Sequence, residues 1–318
     1  MIEVERLEKT YGFARALRGI SFSVQNGEVL GFLGPNGAGK STTMKILTGY
    51  LLPSGGRASV DGLDCVEQSL EVRRRIGYLP ESTPLYADMR VDDYLRFCAE
   101  IRGVPRSRRK AQVARAVELC RLERVTGKNI VELSKGYKQR VGLAQAIVHE
   151  PPVLILDEPT SGLDPNQIVE VRKLIERLGE EHTVILSTHY LQEVEKSCTR
   201  VVIVRQGEIV ADGTQQQLVA QQPDGGVSLT VRGPEQAVLA QMRELLPQNV
   251  PVEVVARDGD RVHYRVVVDR QNAPVDEALA RLVVKNGWDL LELRRESATL
   301  EDVFRNLTLP TQQEAVRA

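Results

Sequence analysis

Along the first two-thirds of the chain, short apolar runs rich in β-branched residues alternate with longer stretches of helical period. VLGFLG at 29–34 precedes STTMKILTGYL, VLILDEP at 153–159 precedes the stretch from Asn166 to Gly179, and TVILSTH follows at 183–189. Strands that alternate with covering helices predict a parallel sheet, because a strand returning in the same direction needs a long crossover. Between Ser82 and Leu133 the pattern changes to Arg-rich helical segments, DDYLRFCAEIRG and KAQVARAVELCRLERV, with no convincing strand. This predicts a helical subdomain at about 82–133 inserted into an α/β core.

A polar stretch from Gln215 to Gly226, TQQQLVAQQPDGG with its preceding Thr, carries Pro and paired glycines and reads as a linker. It divides a domain at 1–220 from a smaller one at 221–318. The second has strands at VSLTVRG, VPVEVVAR, RVHYRVVVD and WDLLELRR, with helices at PEQAVLAQMRELL and PVDEALARLVVKNG. The order βαββαβ predicts a small α+β, ferredoxin-like sandwich.

Charge narrows the function classes. The 318 residues hold 42 Lys+Arg against 43 Asp+Glu, a net charge of -1, so no global field draws the chain to nucleic acid or to an anionic bilayer. The N-terminus MIEVERLEKTYG is acidic where a signal peptide is basic, and no apolar run approaches the ~20 residues of a membrane-spanning helix. A cytoplasmic location is expected. Cys65, Cys98, Cys120 and Cys198 form no C-x-x-C pair and do not cluster with the histidines at zinc spacing, so they read as reduced, buried thiols.

The strongest local chemistry lies in GPNGAGKS, which fits G-x-x-x-x-G-K-[ST] between a strand and a helix. Gly37 and Gly39 let the backbone wrap an anion beside a positive helix N-terminus. Lys40 then reaches the β- and γ-phosphates and the Ser41 hydroxyl ligates Mg²⁺, with Gly34, Pro35, Asn36, Ala38 and Thr42 completing the nucleotide-binding loop. A dinucleotide fold is excluded, since it needs G-x-G-x-x-G rather than a run ending in Lys-Ser.

Asp157 and Glu158 end an almost wholly apolar run, where adjacent carboxylates are costly unless a cation or a reaction uses them. In a P-loop NTPase the first holds the Mg²⁺ shell and the second is the general base for the attacking water. The bland alternative is a helix N-cap pair.

LSKGYKQRV at 133–141 resembles the signature LSGGQ of ABC ATPases. The order of motifs agrees with that family: phosphate loop, YLPE, helical insertion, signature, paired acids 16 residues after Val141, SGLD and STH. The resemblance covers about residues 1–220. It implies that Tyr11 stacks on adenine, that Ser134 and Gly136 meet the phosphate of ATP held by the opposite subunit, and that His189 contacts the γ-phosphate and orients Glu158. It also implies that Gly162, Leu163 and Asp164 couple the two sites of an ATP-sandwiched homodimer, which works with separate integral-membrane subunits.

Two positions depart from the family pattern. Glu81 stands where Gln usually completes the Mg²⁺ shell, and Lys135 and Tyr137 replace signature residues while Ser134 and Gly136 are kept. YLPE, PLYADMRVDDYL and the terminal ATLEDVFRNLT resemble the two-component, exporter-like branch, including gliding-motility and drug-export types. The alternative is an ABC ATPase of a non-transport system, such as a scaffold for metal-cluster assembly.

Overall fold

The computed structural model describes residues 1–221, 226–247, 250–266, 275–296 and 299–308, and the chain divides into two compact units, Met1–Thr214 and Gln215–Ala318. In the first unit the chain opens with β1 (Ile2–Tyr11) and β2 (Ala14–Val24), then β3 (Val29–Leu33), α1 (Lys40–Leu47), β4 (Gly55–Val60), β5 (Leu63–Asp64), α2 (Ser69–Arg75) and β6 (Ile76–Leu79). The helical segments follow as α3 (Val91–Ile101), α4 (Arg106–Leu119) and α5 (Lys135–Ile147). Then come β7 (Val153–Asp157), α6 (Pro165–Glu181), β8 (Thr183–Thr188), α7 (Leu191–Ser197), β9 (Arg200–Arg205) and β10 (Glu208–Gly213).

Six strands form the central sheet in the order β10-β9-β3-β8-β7-β6, parallel except for β10 against β9. All residues of β3, β7 and β8 are buried, as a parallel sheet covered on both faces requires. The parallel register sets Leu79 beside Leu156, and Asp157 beside Ser187. The loops that follow these strands therefore leave the same edge of the sheet, where ligands of open α/β sheets bind.

A second, antiparallel sheet of order β2-β1-β4-β5 was not legible in the helix-strand alternation. In β1, Ile2 and Val4 are buried at period two, and a register shift between Val4 and Leu7 restores Leu7 to the buried side. Arg6 at φ 43 lies within that shift. The first core cluster joins both sheets, with Phe22 and Phe32 rings 5.2 Å apart. Between residues 82 and 133 the described elements are α3, α4 and two short 3-10 turns, together with one isolated bridge, Arg90 to Asn129.

The second unit runs α8 (Gln215–Ala220), β11 (Gly226–Arg232), α9 (Glu235–Leu245), β12 (Val252–Asp258), β13 (Arg261–Val266), α10 (Val275–Lys285), β14 (Asp289–Glu296) and α11 (Leu300–Thr308). Its sheet, β12-β13-β11-β14, is antiparallel throughout, the order and pairing of a split βαββαβ sandwich. Val227, Leu229, Val238, Met242, Tyr264 and Leu279 meet in its core. The end of the predicted strand RVHYRVVVD lies outside the described residues. The polar stretch expected to be a linker begins as a helix instead: Leu218 of α8 is 2% exposed and α8 packs against α11. One buried leucine per turn suffices to fix an otherwise Gln-rich helix.

All four cysteines are free and buried, and burial pushes the Cys65 and Cys198 thiols up to about 12. Among the described residues no helix is long and apolar enough to cross a membrane.

Candidate functional site

The segment between β3 and α1 is a loop whose shape is set by close packing as much as by glycine freedom. A Cβ on Gly34 would lie 2.4 Å from the Val204 carbonyl oxygen, and one on Gly39 would lie 2.8 Å from the Ala16 carbonyl oxygen. Gly37, at φ +79, has nothing within 4 Å of where its Cβ would stand. Gly34 and Gly39 are therefore needed for contact with β9 and β2, and Gly37 for its left-handed backbone facing open space.

Lys40 is only 6% exposed, yet its Nζ is well served. It donates to the Gly34 carbonyl at 2.7 Å and to the Pro35 carbonyl at 3.3 Å, and lies 3.4 Å from Glu158 Oε1. The other Glu158 oxygen, Oε2, is 2.8 Å from His189 Nδ1. Because an ionised carboxylate can only accept, this contact places the proton on Nδ1. Lys40, Glu158 and His189 thus form one continuous polar chain.

Glu158 holds a left-handed backbone, φ 49, which a non-glycine residue adopts only under constraint. The constraint is a hydrogen bond from Glu158 N to the Ser187 carbonyl at 2.8 Å, backed by Ser161 N to Glu158 O at 3.1 Å. The N-cap alternative for the acids fails. It is Asp164 that caps α6, its Oδ1 accepting from Gln167 N at 3.0 Å, with Pro165 in the first turn.

Asp157 is 1% exposed. Burial pushes its carboxyl up from the usual range, the hydroxyls of Ser187 and Ser41 against it pull it down, and Glu158 and Glu81 raise it further. Its Oδ1 has no hydrogen-bond partner among the described residues. An orphaned, buried carboxylate oxygen beside a serine hydroxyl is an oxygen-only donor set that fits a hard divalent cation such as Mg²⁺. Glu81, two residues beyond β6, brings a third carboxylate within electrostatic reach. Among the described residues no group of three or more His, Cys, Asp or Glu could hold a metal alone, so remaining ligands would come from hydroxyl, nucleotide or water.

The signature residues stand elsewhere in the chain. Ser134 caps α5, its Oγ accepting from Tyr137 N at 3.5 Å, and Gly136 is buried where a Cβ would meet the Gln167 side chain at 2.5 Å. Lys135 reaches over Gly162, where its Nζ occupies the space that a Cβ would need. Tyr11 ends β1 at the tip of the β1–β2 hairpin, 48% exposed, with Lys9 Nζ 5.3 Å from its ring centroid. The same hairpin supplies Ala16 and Leu17 under Gly39. Leu163 N bonds the Thr160 carbonyl at 3.2 Å within the turn carrying Gly162 and Asp164.

Sequence reasoning missed four supports of this site. Thr160, Thr188 and Glu193 are almost fully buried around the Glu158 and His189 loops. Gly31 lets α7 seat on β3, since a Cβ there would lie 2.9 Å from Val194 Cγ1. No contiguous pattern marks them, since an acid on a seven-residue helix can be buried or solvated.

A family model described as ABC transporter matches residues 17–161, and one described as an AAA domain, putative AbiEii toxin, matches 128–195. The chain is 35% identical over 315 residues to the linearmycin resistance ATP-binding protein LnrL of Bacillus subtilis, covering 97% of this chain and 98% of that one. It is 36% identical to the Nod factor export ATP-binding protein I of Paraburkholderia xenovorans, covering 96% of each. A solved ATP-binding subunit of an ABC transporter superposes with TM-score 0.64 at 34% identity, over 70% of this chain and 92% of that one. A dimeric ATP-binding cassette in a post-hydrolysis state, bound to ADP and Pi, 23% identical with TM-score 0.62 over 67% of this chain and 98% of that one, shares the fold. With nearly its whole length aligned to such relatives, and the phosphate loop, paired acids and histidine gathered at one sheet edge, the chain belongs to the family of ABC transporter ATP-binding proteins.

Proposed function

We propose that this ATPase subunit hydrolyses Mg-ATP with Glu158 as general base, and that the reaction drives export through separate membrane-spanning subunits. The observation that carries the reading is the Lys40–Glu158–His189 chain, with contacts of 3.4 and 2.8 Å. It combines a cation for phosphate oxygens, a carboxylate for water and an imidazole to orient that carboxylate.

The phosphate loop binds the triphosphate, with Tyr11 as the ring that stacks on adenine. Ser41 and Asp157 would hold Mg²⁺, with Glu81 at the edge of the shell; the ion supplies neutralisation of phosphate charge. Glu158 accepts the proton of the attacking water while His189 fixes its direction. Lys40 stabilises the charge on the transferred group.

Ser134 and Gly136 meet the ATP of a second copy. The exposed Ser134 begins a thirteen-residue helix, whose positive end suits a phosphate. ATP then joins two copies head to tail, and hydrolysis loosens them. The loop around Glu81 passes this motion on, being tied to α5 by the Thr83 hydroxyl donating to Gln139 Oε1 at 2.7 Å and by Gln145 Nε2 donating to the Tyr78 carbonyl at 2.7 Å. Peripheral placement on the cytoplasmic membrane face through partner subunits follows. Export is favoured by relatives named for Nod factor export and linearmycin resistance.

The test is affinity purification of tagged Glu158→Gln protein from native membranes in Mg-ATP. Recovery of a polytopic membrane protein is expected; recovery of only soluble assembly factors overturns the transport reading.

A further inference from the structure

Glu193 is a buried acid that the hydrolytic reading leaves unused. It lies on α7, four residues after His189, and is 3% exposed. The Thr160 hydroxyl donates to its Oε1, and Thr188 is a neighbour of the same carboxyl on the other loop. Its Oε2 is buried with no hydrogen-bond partner among the described residues. Arg172 of α6 is the nearby cation and Glu158 the nearby anion.

The two threonines are not neutral neighbours. Thr160 is two residues after Glu158, in the turn whose Ser161 N bonds the Glu158 carbonyl. Thr188 immediately precedes His189, and its Oγ1 accepts from Tyr190 N at 3.0 Å, so it fixes the backbone on both sides of the histidine. β7 and β8 deliver these two loops side by side, but strand pairing stops at Asp157 and Ser187. Beyond that point Glu158 stands at φ 49, a conformation that persists only where its surroundings over-determine it. A carboxylate placed between both loops is such a surrounding. α7 is itself seated by the close approach of Val194 to Gly31, so the carboxylate has a rigid base.

We propose that Glu193 is a positioning residue, which, from the helix that follows His189, clamps the Glu158 loop through the bond it accepts from Thr160 and thereby sets the 2.8 Å contact between the hydrolytic base and its histidine. Burial pushes the Glu193 carboxyl up from its usual range, while Thr160 and Thr188 pull it down. The clamp rests on the reading of Glu158 and His189 as the hydrolytic pair. It touches neither the phosphate loop nor Tyr11, so its loss acts on kcat and leaves nucleotide affinity alone.

Steady-state phosphate release and equilibrium ATP binding are measured for Glu193→Ala, Thr160→Val, the double variant and Glu193→Gln, with Glu158→Gln alongside. The first two should each lower kcat about ten-fold with ATP affinity within about two-fold of wild type, and the double variant should be no slower than either alone. Glu193→Gln keeps an acceptor for Thr160 and should recover kcat to within about two-fold of wild type. Thr160→Val is nearly isosteric, so the proposal stays testable if Glu193→Ala does not fold. Wild-type kcat in Thr160→Val, or ATP affinity falling in step with kcat, overturns the clamp provided Glu158→Gln has lost turnover. Turnover surviving in Glu158→Gln overturns the underlying reading instead.

Discussion

Nζ of Lys40 lies 3.4 Å from Oε1 of Glu158, with both side chains 6% exposed. On the proposed reading, the cation that serves phosphate is engaged by the carboxylate that serves water, and a triphosphate must draw it away. Glu158→Gln removes that competitor. It is expected to lower kcat by about 100-fold or more while tightening ATP binding by about three-fold or more. Phosphate release and nucleotide titration check this; equal loss of both removes the base assignment.

The phosphate loop makes two kinds of demand on glycine, and substitution separates them. Gly34→Ala drives a Cβ into the Val204 carbonyl at 2.4 Å, so it should lower both the unfolding temperature and ATP affinity, the latter by about ten-fold or more. Gly37→Ala meets no atom within 4 Å and suffers only its φ of +79, a cost of about 1 kcal/mol. Thermal unfolding and nucleotide titration of both variants distinguish steric from conformational need.

His149 supplies a pH dependence. Burial, reinforced by the Arg102 charge, holds it down to about 4, and its Nε2 lies 3.2 Å from the Ile76 carbonyl. An unfolded chain takes up this proton below pH ~6.5, the native chain only near 4. The unfolded state therefore binds more protons in that window, and this contribution is full above it and lost as pH falls through it. It amounts to about 3 kcal/mol. His149→Gln should flatten the fall in unfolding temperature as pH drops from neutral towards the native value of His149; parallel curves for the two proteins count against it.

Glu81 raises the Asp157 carboxyl by its charge, and the proposed reading sets it at the edge of the cation shell. Glu81→Gln is expected to raise the Mg²⁺ concentration for half-maximal hydrolysis about three-fold or more, with less effect on kcat at saturating metal. A Mg²⁺ titration at fixed ATP reads this. An unchanged titration puts Glu81 outside the shell and leaves it to coupling through Thr83 and Gln139.

Much of the candidate site was legible because its residues are local in sequence. The loop ending in Lys40 and Ser41 lies between β3 and α1, and Asp157 and Glu158 close the fully buried β7. The antiparallel sheet was not legible, because β1 is broken by a register shift between Val4 and Leu7 and so loses strict alternation. The role of Glu193 was hidden for a different reason. An acid on a seven-residue helix has no sequence signal that tells a buried clamp from a solvated one.

The sequence by itself determined the parallel α/β core, the phosphate loop, the acids and the histidine, since hydrophobic period and motif spacing are properties of contiguous residues. Tertiary structure alone decided that Lys40 and His189 grip opposite oxygens of Glu158, that Gly34 and Gly39 serve packing, and that residues 215–220 of the linker expected at 215–226 are a helix with Leu218 inside. Each of these depends on the distance between segments far apart in the chain, which register across a sheet and close packing fix and which local propensity does not contain.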